Sequence, residues 1–502
     1  MSDKEPLMDK IGFDCEKYFA MQSSRIEERI AQFGGKLYLE FGGKLFDDYH
    51  ASRVLPGFKP DAKLQLLLRM KESAEIVISI NAEAIASGKV REDLGITYNQ
   101  DVLRLIDAFR AAGLYVGSVC LTRYKGQKAA KSFERFLAKQ GVKTYHLYDI
   151  PDYPFAVDHI VSDDGLGKND YIETTRPLVV VTAPGPGSGK MATCISQLYQ
   201  DNLRGVKSGY AKFETFPIWN LPLKHPVNLA YEAATADLND VNMIDPYHLE
   251  AYGMSTVNYN RDIENFPVLN HLFTKIFGKS PYQSPTDMGV NMAGYCISDD
   301  AICREAARQE IIRRYLRSLV DLQRGKVEEN VPAKILSIMK ANGIEVDERA
   351  CVAPAKERAA KTGRPACAIE LNNGTIFTGK TSSLLGPAGA MLLNALKSLA
   401  GIGDGVLVLP AAILEPVCAL KTDALHGHNP RLHISELLVT LAISAITNPL
   451  ADLVMKQLPK LRGAQAHSSV ILSETDADTL RKLGVDLTCE PVYDSKKLYH
   501  SK

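Results

Sequence analysis

Over its first 220 residues the chain alternates short apolar runs with longer segments whose apolar positions recur three and four residues apart. The runs read as strands and the segments as amphipathic helices, and their alternation predicts an α/β fold built on a mainly parallel sheet. Strands are expected at 36–41, 75–80, 115–121, 144–149, 178–182 and 208–213. Val179, Val180 and Val181 leave no polar position between them, which marks a strand covered on both faces. Helices are expected at 101–112 and 129–140, stopped by Gly113 and Gly141. In sheets of this kind ligands sit beyond the carboxyl ends of the strands, so every motif that follows a strand is expected to face one crevice.

The pattern changes after residue 215. The proline-rich stretch 216–226 reads as an ordered, extended loop, 301–319 as a basic helix, and the charged stretch 323–332 as a boundary. Beyond it, 366–371, the turn Asn372-Asn373-Gly374 and 375–378 form a β-hairpin signal, and 386–399 and 435–448 read as apolar helices. The expected organisation is an α/β domain over 1–225, a loop-rich and helical segment over 226–329 that completes the site, and a separate carboxy-terminal α/β subdomain over 330–502. The long apolar helices suggest contacts between copies, and hence a homo-oligomer.

With 502 residues and 45% hydrophobic content the chain can bury more than one core. Its 59 basic and 59 acidic residues cancel, which argues against binding nucleic acid by counterion release. Met1-Ser-Asp-Lys-Glu5 lacks the basic-then-apolar plan of a signal peptide, and no apolar run reaches the roughly 18 residues of a membrane span, so a cytoplasmic location without a membrane partner is expected. Nine cysteines without a C-x-x-C pair read as reduced core thiols, Cys194 among them.

Candidate chemistry concentrates where the strand at 178–182 empties into Ala183-Pro-Gly-Pro-Gly-Ser-Gly-Lys190. Gly185, Gly187 and Gly189 permit backbone N–H groups to converge on an anion, and a helix expected over 191–199 adds its amino-terminal charge there. The run departs from the P-loop pattern G-x-x-x-x-G-K-[ST] at two positions: Pro184 replaces the first glycine and Met191 the magnesium-binding hydroxyl. Ser188 and Thr193 are the hydroxyls nearest to making good that loss.

Three further stretches bear on the same edge. Lys36 to Lys44 closes a strand on Gly42 and Gly43 and resembles the phosphate-binding strand ends of amino-acid kinases. In 209–215, Lys212 and Glu214 lie two apart on one strand face. The strand, helix and strand over 178–213 resemble the opening of dethiobiotin-synthetase-like enzymes. Finally, Asp237, Asp240, Asp245, His248 and Glu250 crowd into 237–250, and Asp237, Asp240 and Asp245 are candidate ligands for Mg²⁺, with Asp245-Pro246 equally a helix start. Lys168, Arg176, Lys224, His225, Asp287 and Asn291 are weaker candidates for ligand contact, and His426, His428 and His433 for a metal.

The strings at 168–177 (Lys-Asn-Asp-Tyr-Ile-Glu-Thr-Thr-Arg-Pro), 183–190, 213–222, 236–246 and 284–294 resemble the bacterial family labelled domain of unknown function 1846, in order and across essentially the whole chain. The resemblance implies a P-loop-like amino-terminal half and a separate carboxy-terminal α/β subdomain. No H-E-x-x-H or G-x-S-x-G motif is present to support a peptidase.

These residues point to an enzyme that binds ATP or another phosphorylated small molecule at 185–190, a P-loop-like phosphotransferase or ligase in which Lys190 neutralises charge and Asp237 or Asp240 positions Mg²⁺. The alternative is an enzyme acting on a phosphorylated metabolite without nucleotide hydrolysis, with His248 or Glu214 transferring the proton. A non-catalytic oligomeric ligand-binding protein is the third reading.

Overall fold

The computed structural model describes residues 11–494 except 44, 47, 92, 93 and 152. Every strand expected in the first half forms, within one to three residues of the predicted ends: β1 (Leu37–Phe41), β2 (Ala74–Asn81), β3 (Tyr115–Tyr124), β4 (Lys143–Tyr148), β5 (Leu178–Thr182) and β6 (Gly209–Phe213). A short β7 (Gly289–Val290) completes a seven-stranded sheet of order β7-β6-β1-β5-β2-β3-β4. All of its pairings are parallel. The chain first runs outward from β1 to β4, then returns to insert β5 between β1 and β2 and to place β6 on the far side of β1. The carboxyl ends of β5, β1 and β6 are thereby neighbours, at the reversal of strand order where open α/β sheets bind ligands.

Five helices are needed below: α1 (Cys15–Gln32), α2 (Tyr98–Ala111), α3 (Lys128–Lys139), α4 (Lys190–Leu203) and α5 (Asn260–Phe277). α2 starts three residues before the expected position because Thr97 caps it, its backbone N–H donating to the Gln100 side chain at 3.0 Å. α4 is enclosed almost all round. Its Cys194, Ile195 and Leu198 share a core with Tyr38, Val179, Val181 and Tyr210 of the sheet and with Phe266, Leu269 and Phe273 of α5.

The polar residues of α4 face a strap at 166–172. Gln197 accepts the Ile172 N–H at 2.7 Å and donates to the Asp170 carbonyl at 2.9 Å, while Asn169 donates to Ser196 at 3.0 Å. The polar string at 168–177 therefore laces a loop onto a helix. Lys168 pairs with Asp164, and Arg176 donates to the Ala74 carbonyl at 2.8 Å, before the amino end of β5 and away from the turn at 183–190.

The chain divides into two compact units, Gly12–Glu232 with Asp240–Cys303, and the remainder. Apart from 233–239, residues 226–303 thus group with 12–225, and the division falls after Cys303. The second unit carries a mixed sheet of β8 (Ala366–Glu370), β9 (Ile376–Lys380), β10 (Gln465–Ser468) and β11 (Asp486–Cys489) in the order β9-β8-β10-β11, with only β10 and β11 parallel. Helices α6 (Pro387–Leu399), α7 (Ile434–Ser444) and α8 (Glu474–Lys482) pack on it through Met391, Leu392, Leu437, Leu441 and Leu480. α7 ends before the expected residue 448 because Pro449 cannot continue it, and Asn448 instead caps the next helix by accepting the Leu450 N–H at 3.0 Å. All nine cysteines are free and buried, and among the described residues no helix is long and apolar enough to cross a membrane.

Candidate functional site

β5 delivers the chain to the turn at 183–189, and two glycines there adopt positive φ, Gly187 at 76° and Gly189 at 86°. Gly189 is the N-cap of α4, and as glycine it supplies no side chain to close the helix. A Cβ on Gly189 would lie 2.7 Å from Thr122 Oγ1, and one on Gly185 2.4 Å from the Tyr98 hydroxyl, so the turn is seated against β3 and α2. Its carbonyls are held from behind: Thr122 Oγ1 donates to Ser188 O at 2.9 Å, Ser188 Oγ to Gly185 O at 2.8 Å, and Asn81 Nδ2 to Gly187 O at 3.4 Å. The N–H groups of Gly187, Ser188, Gly189 and Lys190 have no acceptor among the described residues. Thr193 Oγ1, 2.9 Å from both Ser79 Oγ and the Gly189 carbonyl, is buried beneath the helix start. The Ser188 and Thr193 hydroxyls are therefore both engaged inside the fold and do not replace the one missing at Met191.

Lys190 Nζ lies 4.0 Å from Glu40 Oε1, and the other oxygen of Glu40 accepts the Tyr210 hydroxyl at 2.7 Å. Gly42 follows Glu40 past the end of β1, and a Cβ there would stand 4.0 Å from Lys190 Cε. Gly43, at φ 76°, lies beside Lys63, which is paired with Asp48 at 2.8 Å, and Lys44 is outside the described residues.

Beside Glu40 in the β1–β6 register stands Lys212, and it joins the turn to a buried acid cluster. Its ammonium pairs with Glu214 at 2.9 Å and with Asp262 in the first turn of α5, and lies 5.3 Å from the centre of the Tyr259 ring. Trp219 Nε1 donates to the second oxygen of Glu214 at 3.2 Å. Met191, Lys212, Asp262, Asn265, Leu269, Pro285 and Met288 line an open cavity of about 290 Å³, so the first turn of α4 and the acid cluster share one wall.

Two carboxylates facing one ammonium cannot both ionise cheaply out of water. Glu214 is the deeper of the two, its side chain 4% exposed against 17% for Asp262. Burial pushes its carboxyl up to about 7, with Asp262 adding to the rise and Lys212 and Trp219 opposing it. Burial alone would favour the neutral amine of Lys212, but Asp262, Glu214 and Glu40 hold it charged.

The acidic run at 237–250 has other roles. Asp237 is exposed and belongs to the second unit. Asp240 pairs with Arg261 at 3.1 Å. Asp245, fully buried, caps the helix Pro246–Tyr252 by accepting the N–H groups of Tyr247 and His248, and its second oxygen takes the N–H and hydroxyl of Thr286 at 3.2 and 2.6 Å. Among the described residues no group of three His, Cys, Asp or Glu side chains is placed to hold a metal, so Asp237, Asp240 and Asp245 do not form the magnesium site expected of them. His248 is 2.9 Å from Ser284 Oγ, and neither it nor Asp240 lines the cavity. His225 lies 2.8 Å from Asp300, Asp287 accepts the Tyr252 hydroxyl, and Asn291 donates to the carbonyls of Thr215 and Pro217, all contacts internal to the fold.

Two site residues escape the sequence reading. Asp262 looks like an ordinary first-turn acid of a helix. Glu40 carried a signal, because a lone carboxylate between Leu39 and Phe41 in a strand buried along its whole length demands a partner.

A parallel α/β unit with a glycine turn and a buried lysine–carboxylate cluster at its carboxyl edge, joined to a second unit with a mixed sheet, defines the class to which the chain belongs. It is a member of the family described as domain of unknown function DUF1846, whose N-terminal model matches residues 11–343 and whose C-terminal model matches 347–499. It is similar to a UPF0371 protein of Streptococcus pyogenes serotype M28, 56% identical over 492 residues that cover 98% of this chain and 100% of the relative. A UPF0371 protein of Streptococcus equi subsp. equi is 56% identical over 494 residues, with the same coverage of both chains.

Proposed function

We propose that this protein is an enzyme acting on a phosphorylated small molecule, in which the turn at 185–190 grips the phosphate and Glu214 transfers a proton. The observation that carries the reading is four amides without acceptors at the start of α4, beside a small cavity lined by Met191 of that helix and by Lys212 and Asp262, the neighbours of a buried carboxyl of raised pKa. Converging amides and the helix amino terminus suit a dianion, and Lys190 is within a side-chain rotation of it. A carboxyl that titrates near neutrality suits acid–base work, since it is both present as acid and available as base at working pH.

A nucleotide is the second reading, favoured by Gly187, Gly189 and Lys190 standing in P-loop order. Since Asp240 and Asp245 are engaged by Arg261, Thr286 and the helix they cap, magnesium would enter as a nucleotide complex. We further propose a cytoplasmic homo-oligomer, supported by the exposed apolar side chains of Val439, Ile443 and Ile446, which are 61, 64 and 81% exposed.

Calorimetry with inorganic phosphate, and with ATP in magnesium or in EDTA, tests the reading. Phosphate should bind the protein and bind Lys190→Ala at least about tenfold more weakly, the loss of one charge-assisted contact. Tighter binding of ATP with magnesium than in EDTA selects the nucleotide reading, and equal phosphate binding by both proteins overturns the site.

A further inference from the structure

The second unit contains a cleft that the proposed reaction does not use. It encloses about 450 Å³ open to solvent, and its polar lining includes Thr381, Asn429, Arg431, His433, Ser473 and Asp476. Asp476, 8% exposed, accepts from the Ile434 N–H at 2.7 Å, from Ser473 Oγ at 3.0 Å and from His433 Nδ1 at 3.0 Å. Ser473 Oγ also lies 3.2 Å from His433 Nδ1. A carboxylate only accepts, so Nδ1 carries the shared proton, and in the neutral ring the free lone pair belongs to Nε2. That nitrogen makes no hydrogen bond among the described residues, and the side chain is 23% exposed. A histidine fixed by a carboxylate with its second nitrogen left for a cleft is the arrangement proteins use to take a proton from a bound hydroxyl or water.

Arg431 stands two residues before it. Its Nε is anchored on the Ser382 carbonyl at 3.2 Å, and its Nη1 is 3.8 Å from Asp494, beyond hydrogen-bonding distance. The terminal nitrogens of the guanidinium therefore remain suited to a planar, two-oxygen partner. Ser473, His433 and the Ile434 N–H solvate Asp476, and Asp494, which lines the same cleft, pairs with Arg431, so an oxyanion binds there by displacing Asp494 from the guanidinium.

We infer that this cleft is a second binding site, for a small molecule carrying a phosphate or carboxylate group, in which Arg431 holds the oxyanion and His433 Nε2 accepts a proton from the ligand or its water. The test is NMR of protein labelled at histidine Cε1, with the His433 resonance identified by its loss in His433→Asn, whose amide still donates to Asp476. Inorganic phosphate and acetate are titrated separately to separate the two sources of oxyanion. At least one should shift the His433 resonance saturably, in Lys190→Ala as in the parent, and Arg431→Gln should weaken that response about tenfold or more. No saturable shift with either anion, or an equal response in Arg431→Gln, overturns the inference. Should Arg431→Gln fail to fold by circular dichroism, the titrations of the parent and Lys190→Ala decide alone.

Discussion

Lys212 and Glu214, two residues apart at the end of β6, form an ion pair at 2.9 Å in which Glu214 is 4% exposed, and the same ammonium serves Asp262. Two acids thus depend on one base, with Glu214 the one held away from water. The stability and chemistry of the site both follow from where the shared proton resides.

The pH dependence has a definite sign. The folded protein holds the Glu214 proton up to about 7, above the ordinary 4.5, so it binds more protons than the unfolded chain between those values and loses stability as pH rises through that window. The slope from one such group is at most about 1.4 kcal/mol per pH unit. Denaturant titrations at pH 5 and pH 8 should show this loss in the parent and a smaller one in Glu214→Gln.

Removing the shared base should be severe. Lys212→Met leaves Glu214 and Asp262 buried without a counter-charge, and should cost about 3–5 kcal/mol at pH 8. Adding Glu214→Gln and Asp262→Asn to it should recover much of the loss in thermal unfolding, because the buried charges then disappear together.

Gly189→Ala combines a strained φ of 86° with a Cβ 2.7 Å from Thr122 Oγ1. It should cost about 1–3 kcal/mol in chemical denaturation and also weaken phosphate binding, since the amides it displaces are the proposed ligand donors. Trimming Thr122 to serine should restore little, because the φ penalty remains.

Asp245→Asn keeps the cap through its Oδ1 but sets an amide NH₂ against the Thr286 N–H, which then loses its acceptor. The variant should unfold about 1–3 kcal/mol more easily, with phosphate and nucleotide binding at saturating protein stability unaffected by the change. A loss confined to magnesium-dependent binding would instead return Asp245 to a metal role.

Much of this architecture was legible because strands buried on both faces write themselves as unbroken apolar runs, as Val179 to Val181 do. Chemistry was harder, because it depends on context that letters omit. Gly374 to Thr381 matches G-x-x-x-x-G-K-[ST] letter for letter, yet it forms a hairpin turn and strand β9, and a Cβ on its Gly379 would lie 2.0 Å from the backbone of Met391. The turn before Lys190 misses two of those letters but stands between a strand and a helix. The acids at 237–250 looked like ligands because capping and coordination favour the same residue types, and only the Thr286 contacts to Asp245 separate the two. Asp262 was out of reach of the sequence because it meets Lys212 across 50 residues.

The central claim is that a phosphate rests on the amides of 187–190 within reach of Lys190, beside the Glu214 cluster. A crystal structure of the protein grown or soaked in phosphate measures it directly. The account predicts a phosphate bound to those N–H groups with Lys190 Nζ turned from Glu40 toward it. A turn that stays empty in saturating phosphate, or whose amides take protein acceptors, would contradict it.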